Sequence, residues 1–253
     1  MAVIVGALVL VNIFVWGWRE ARFALSSDPL KEWPPLVLWA WERPEDLSFA
    51  DCGDTGVAYL ADTITISRGS IMVRPRLQPL EIPAGCRVMA VVRIEANVSR
   101  FSKARVREVA DLILTTAKEP RVSAVQVDFD ATVSQRPFYA AVLRAVREGL
   151  PPSIPLSMTA LASWCIHDDW IRELPVDEAV PMLFRMGTDE AEVRRYLKSG
   201  NDFRVPACRY SVGVSTDESL PRLPAGRRVY AFHDGSWTSE AVTGIRVKVE
   251  AGQ

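Results

Sequence analysis

Eight short apolar runs, each bounded by Gly, Pro or polar residues, recur between residues 36 and 233, at 36–42, 56–66, 87–95, 121–132, 155–161, 178–185, 207–214 and 228–233. Runs of this length, rich in Val, Ile, Leu and aromatic residues, read as buried strands. Between several of them lie segments with apolar residues at helical spacing. Ser102 to Lys118 carries Val106, Val109, Ala110, Ile113 and Leu114, with Ser102 placed to cap the first turn. Residues 134–150 carry Phe138, Ala141, Val142, Ala145 and Val146, and Gly149 with Pro151-Pro152 ends them. A short helix is expected near Asp168, and further helices over 189–197 and 238–249. This alternation predicts an α/β chain folded as a (β/α)8 TIM-like barrel over 36–253, with some irregular connections. The length of 253 residues suits one such domain. A doubly wound open sheet is the alternative, but no G-x-G-x-x-G turn and no P-loop occurs. The proline-rich stretch 70–83 suits an irregular excursion or β-hairpin better than a helix.

The N-terminus is of another kind. Ala2 to Trp18 is apolar apart from Asn12 and Gly17, and Arg19 and Arg22 follow it. Such a run is within the range of membrane spans, and no basic residue precedes it as in a signal peptide. Residues 1–25 are therefore expected to be a hydrophobic helix acting as membrane anchor or uncleaved signal, joined by a Pro-rich linker at 26–35. Arg19 and Arg22 favour a cytoplasmic C-terminal side. Export rests instead on the four cysteines and on the resemblance described below. Cys52, Cys86, Cys165 and Cys208 show no C-x-x-C spacing; in an exported chain they allow three disulfide connectivities, with Cys52–Cys86 the favoured pair.

The fourth run ends in the segment Val125-Gln-Val-Asp-Phe-Asp130. Strand side chains repeat every two residues, so Gln126, Asp128 and Asp130 share one face. Buried parallel strands normally carry apolar residues on both faces, and the C-terminal strand ends of α/β proteins are where catalytic groups sit. Arg93 and Glu95 repeat the alternation on the neighbouring strand. The expectation is that Asp130 is an acid or nucleophile, with Asp128 orienting it and pairing with Arg93. The second carboxylate is Glu42, Glu95 or Glu218. A barrel mouth would also gather Trp41, Thr159, Trp164, Arg185, His233 and Trp237 as substrate-binding groups, since aromatic faces stack on sugar C–H surfaces. The bland readings are a buried Arg–Asp network for Asp128, the outer layer for half of the tryptophans, and the core for Phe129 and Phe184. His167, Asp168, His233 and Asp234 make at most a scattered ligand set, so no metal and no cofactor are expected.

The runs L-V-L-W-A-W-E-R-P-E-D-L, V-Q-V-D-F-D-A, L-S-M-T-A-L-A-S-W-C, E-A-V-P-M-L-F-R-M-G and G-V-S-T-D-E resemble a bacterial family catalogued as domain of unknown function 3142. The resemblance spans about Trp39 to Trp237 and brings no established activity. At greater distance the chain is similar to sugar-cleaving TIM-barrel hydrolases. Chitinase-like members end the fourth strand in D-x-x-D-x-D-x-E. Asp128 and Asp130 match the D-x-D portion, while Thr132 stands where the proton-donating Glu would be. The net charge of -1, from 30 basic and 31 acidic residues with no basic stripe, gives no support to nucleic-acid binding. The expected activity is a glycan-processing hydrolase of the cell envelope, membrane-tethered and exported, with a polysaccharide or oligosaccharide ligand. The alternatives are a non-catalytic polysaccharide-binding barrel and a metal-dependent hydrolase.

Overall fold

The computed structural model describes residues 28, 30–99, 101–223 and 225–252. The expected anchor at 1–25 lies outside them; among the described residues no helix is long and apolar enough to cross a membrane. Trp33–Gln253 makes a compact unit of its own. Its eight barrel strands are β1 (Leu36–Ala40), β3 (Thr55–Ile66), β6 (Val88–Ala96), β7 (Ala124–Asp128), β8 (Leu156–Leu161), β9 (Glu178–Met182), β10 (Ser211–Ser215) and β11 (Arg228–Phe232). Each pairs in parallel with the next, and β11 returns to β1 with Leu36 opposite Val229, which closes the sheet. The fold is a (β/α)8 TIM-like barrel, and its strands are the eight apolar runs.

The connections explain where the sequence pattern was irregular. Helices α1 (Lys103–Thr116), α2 (Arg136–Gly149), α3 (Ala162–Ile166), α4 (Glu190–Lys198) and α5 (Ser239–Gly252) follow β6, β7, β8, β9 and β11. Ser102 caps α1 by accepting from the backbone N–H of Arg105. Val109, Ala110 and Ile113 of α1, with Phe138, Val142 and Val146 of α2, bury the apolar stripes that the spacing predicted; Ala141 and Ala145 are half-buried, and Tyr139 and Leu143 are buried beside them. After β3 the chain instead forms β4 (Ile71–Pro75), antiparallel to the second half of β3, and β5 (Leu80–Glu81), which pairs with β2 (Glu45–Asp46). The helix expected near Asp168 begins earlier, as α3 directly after β8, with a 3-10 turn at Asp169–Ile171. The seventh strand starts at Ser211, because Pro206–Arg209 forms a 3-10 turn. Disulfides join Cys52 to Cys86 and Cys165 to Cys208.

The barrel interior is polar at its base. The carboxylate of Glu178 is fully buried, yet receives Arg228 Nη1 at 2.5 Å, Tyr230 OH at 2.7 Å and Ser157 Oγ at 3.2 Å. Ser157 in turn accepts from Gln126, whose amide oxygen takes the Trp39 indole N–H at 2.8 Å. Four strands and β1 are thus cross-linked through one chain of hydrogen bonds. The Trp39 ring lies so close to β10 that a Cβ on Gly213 would come within 2.8 Å of it, so only glycine leaves room there.

Taking away one partner of a buried ion pair leaves an uncompensated charge, which costs about 3–5 kcal/mol. Arg228→Met is expected to lose that much in urea unfolding. Adding Glu178→Gln should recover a large part, since the neutral amide still accepts from Tyr230. A loss under ~1 kcal/mol in the single variant would contradict this.

Candidate active site at the barrel mouth

Alternate residues of a barrel strand point inward, and on β7 they climb from base to rim. Gln126 belongs to the interior network, and Asp128 lies one layer above it. Asp128 Oδ1 accepts from Thr159 Oγ1 at 2.7 Å, and Oδ2 is 4.0 Å from Arg93 Nη1. Asp130, two residues further, is exposed at the rim. Burial is the main force that pushes the Asp128 carboxyl up to about 6, with the Asp130 charge second; the Thr159 hydrogen bond and Arg93 oppose it, and Glu95 adds a smaller push. Asp130 is also raised, through desolvation first, with Arg93 holding it back.

These carboxyls open into a cavity of about 520 Å³. Its floor is Trp39, Asp128 and Thr159, and an aromatic wall rises on one side. Phe184 and Phe232 stack at 5.8 Å with an interplanar angle of 6°; Trp41 meets Phe232 edge-on at 6.2 Å. The fourth and eighth strands of a closed eight-stranded barrel face each other, so Asp128 and Asp130 look across the mouth toward Asp234, which follows β11. Arg185 borders the same wall. Its φ of 51° is in the left-handed region, uncommon for a non-glycine residue and found where surroundings over-determine the backbone. Here the Arg185 backbone N–H donates to Glu218 at 3.0 Å, its guanidinium pairs with Asp234 at 2.7 Å, and that group lies 5.0 Å from the Phe232 ring.

Of the residues singled out from sequence, Asp128, Asp130, Arg93, Trp41, Thr159 and Arg185 line this cavity together. The others do not line it. Glu42 forms an ion pair with Arg74, and Glu95 pairs with Arg93 at 3.3 Å. Glu218 holds the Arg185 backbone. His233 bonds Thr216 through Nδ1 at 2.7 Å. Trp164 is buried beside Trp170, 4.9 Å between rings, because α3 starts at once after β8 and turns that side chain away from the mouth. Trp237 is buried too, its indole donating to the Trp39 carbonyl at 3.0 Å. Phe184, expected in the core, is half-buried in the cavity wall, while Phe129 is buried. Arg43, Asp189 and Asp234 line the mouth without having been singled out as site residues. Asp234, named from sequence only within a scattered ligand set, repeats at β11 the spacing of Asp130 on β7. Among the described residues no group of three His, Cys, Asp or Glu side chains converges as a metal site. Thr132, at the position of the chitinase-like Glu, is exposed outside the cavity, where its backbone N–H donates to Gln135 Oε1 at 2.9 Å at the start of the turn into α2.

Residues 84–179 match the family model Domain of unknown function (DUF3142). No curated protein matches the chain in sequence. Among solved structures the barrel is similar to the endo-beta-N-acetylglucosaminidase from Cordyceps militaris in apo form, at 12% identity and a TM-score of 0.48, over 86% of this chain and 90% of that one.

A carboxyl whose pKa is raised by folding binds its proton more tightly in the native state. Its contribution to stability is complete below the unfolded value of 3.8 and is lost as pH rises through about 6. Asp128→Asn should therefore gain on the wild type across that window and be the more stable above it by on the order of 2–3 kcal/mol, read from urea midpoints at several pH values. Parallel pH–stability curves for the two proteins would refute the assignment.

Proposed function

We propose that the barrel mouth is the active site of a glycan-processing hydrolase. The observation that carries this reading is a pair of carboxyls, Asp128 buried and Asp130 at the rim, beneath an aromatic wall in one open cavity, an arrangement whose burial and like charge push Asp128 up to about 6. Glycoside hydrolysis needs one protonated carboxyl and one carboxylate on either side of the scissile bond. The Asp128–Asp130 pair supplies the first: like charge and burial hold a proton there, and Asp130 is the member exposed to substrate. That proton passes to the leaving glycosidic oxygen. The opposite wall supplies the second, through Asp234, as base for the water that attacks the sugar carbon. Trp41, Phe184 and Phe232 offer flat apolar faces for sugar rings at little entropic cost. Arg93 limits how far the pair's pKa rises. The sequence expectation that Asp128 orients Asp130 and faces Arg93 is kept in this scheme, with the proton reservoir now assigned to Asp128.

Exported, membrane-tethered action on an envelope polysaccharide completes the proposal. Its supports are the apolar run at residues 2–18 and the two disulfides, which persist in oxidising compartments. The second reading is a barrel that binds polysaccharide without cleaving it. The observation favouring it is Thr132, outside the cavity where chitinase-like enzymes carry their acid.

Release of reducing ends from a panel of envelope and extracellular polysaccharides separates the two. The hydrolase reading expects Asp130→Asn to lower kcat by about 100-fold or more. Because the acid must be protonated, kcat/KM of the wild type should fall as pH rises through about 6, and Asp128→Asn should lose that limb. Saturable binding with no released ends, the same in wild type and Asp130→Asn, selects the binding module.

A further inference from the structure

A second cavity of about 350 Å³ adjoins the mouth on the α3–α4 side. Ser163 and Asp189 line both, so the two spaces share a wall of two residues. The second cavity is polar where the first is aromatic. His167 Nε2 lies 3.3 Å from Glu192 Oε1, and Arg136 pairs with Asp168 at 2.5 Å. Arg136 is held in place from below, its guanidinium 5.4 Å from the Trp170 ring and 5.9 Å from that of Trp164. His167 and Glu192 are exposed, whereas Arg136 and Asp168 are half-buried. The mouth function described above uses none of these four side chains.

We propose that this second cavity is an accessory glycan subsite, taking a sugar unit of an oligosaccharide whose neighbouring unit lies in the mouth. Sugar hydroxyls donate and accept hydrogen bonds at once. Side-by-side donors and acceptors, here Arg136 with Asp168 and His167 with Glu192, match that chemistry better than a cluster of one charge. A fixed guanidinium over two indoles loses little conformational freedom when it binds. The shared wall at Ser163 and Asp189 gives the ligand a continuous path from one space to the other. On the side of β3 and β6 the sheet is taller: β6 runs to Ala96, three residues beyond Arg93, which pairs with the last residue of β7. The chain of sugar units is therefore directed toward α3 and α4. The inference rests on the glycan reading of the mouth and narrows its ligand to an oligosaccharide long enough to fill both cavities.

The test uses the full chain with Asp130→Asn, so that no turnover intervenes, and matched short and long oligosaccharides of the chitin, cellulose and alginate series as probes. Backbone hydrogen exchange is followed with and without each. The expected result is that a disaccharide of the accepted series slows exchange at the ends of β7 and β9 only, while the hexasaccharide also protects residues 166–172 and 191–196, which flank the second cavity. His167→Ala and, as a milder exposed variant, Glu192→Gln should then raise the hexasaccharide Kd about tenfold and the disaccharide Kd far less. Protection of the strand ends by the hexasaccharide without any at 166–172 and 191–196 overturns the subsite and leaves the glycan reading standing. If no probe of any series protects the strand ends, the glycan reading itself fails and the subsite falls with it.

Discussion

The buried carboxylate of Glu178 is the interaction on which the rest of this barrel depends. A charge with no access to water is tolerated only when it is paired and its lone pairs are filled. Arg228 and Tyr230 of β11 and Ser157 of β8 do this, and the network runs on through Gln126 to the Trp39 indole. A one-residue slip of any of these strands would turn its member outward and strand the others. The network therefore specifies register as much as it adds stability. It also lifts the site: with Trp39 and Gln126 filling the layer below, Asp128 occupies the next one and meets Thr159 on β8.

That placement accounts for the electrostatics of the mouth. Below Asp128 the interior is packed, above it the cavity opens, and its strand neighbour Arg93 stands 4.0 Å away. The guanidinium also pairs with Glu95, so it answers two carboxylates and does not fully offset the burial of Asp128. The result is an upward shift of both Asp128 and Asp130. On the facing side Asp234 is held by Arg185, whose strained backbone is fixed by Glu218 and whose guanidinium lies over Phe232. Two carboxyl environments of different character thus face one another across one cavity.

Much of this was legible in the sequence, for reasons that differ by element. The barrel strands were readable because buried parallel strands are short apolar runs between breakers, and all eight were found. The period of two on β7 placed Gln126, Asp128 and Asp130 on the inner face. What sequence does not encode locally is the path of the chain after a strand ends. Trp164 and Trp237 follow strand ends closely, yet α3 and the turn into α5 carry them into the outer layer. Phe184 was expected in the core because it lies in an apolar run, but β9 stops at Met182 and the next residues bend into the mouth. Arg43 and Asp189 come from loops whose direction no periodicity fixes, whereas Asp234 continues the alternation of β11 past its end. The Cys52–Cys86 pair was anticipated from its loop-like surroundings, and it formed.

The central claim is that the mouth holds a proton on a buried carboxyl at mildly acidic pH. Carbon-detected NMR titration of the aspartate side chains, assigned with Asp128→Asn, measures this directly. The account predicts one aspartate titrating near 6, lost in the variant, and a second, Asp130, above the ordinary value of 3.8. Aspartates that all titrate at or below that ordinary value would contradict it.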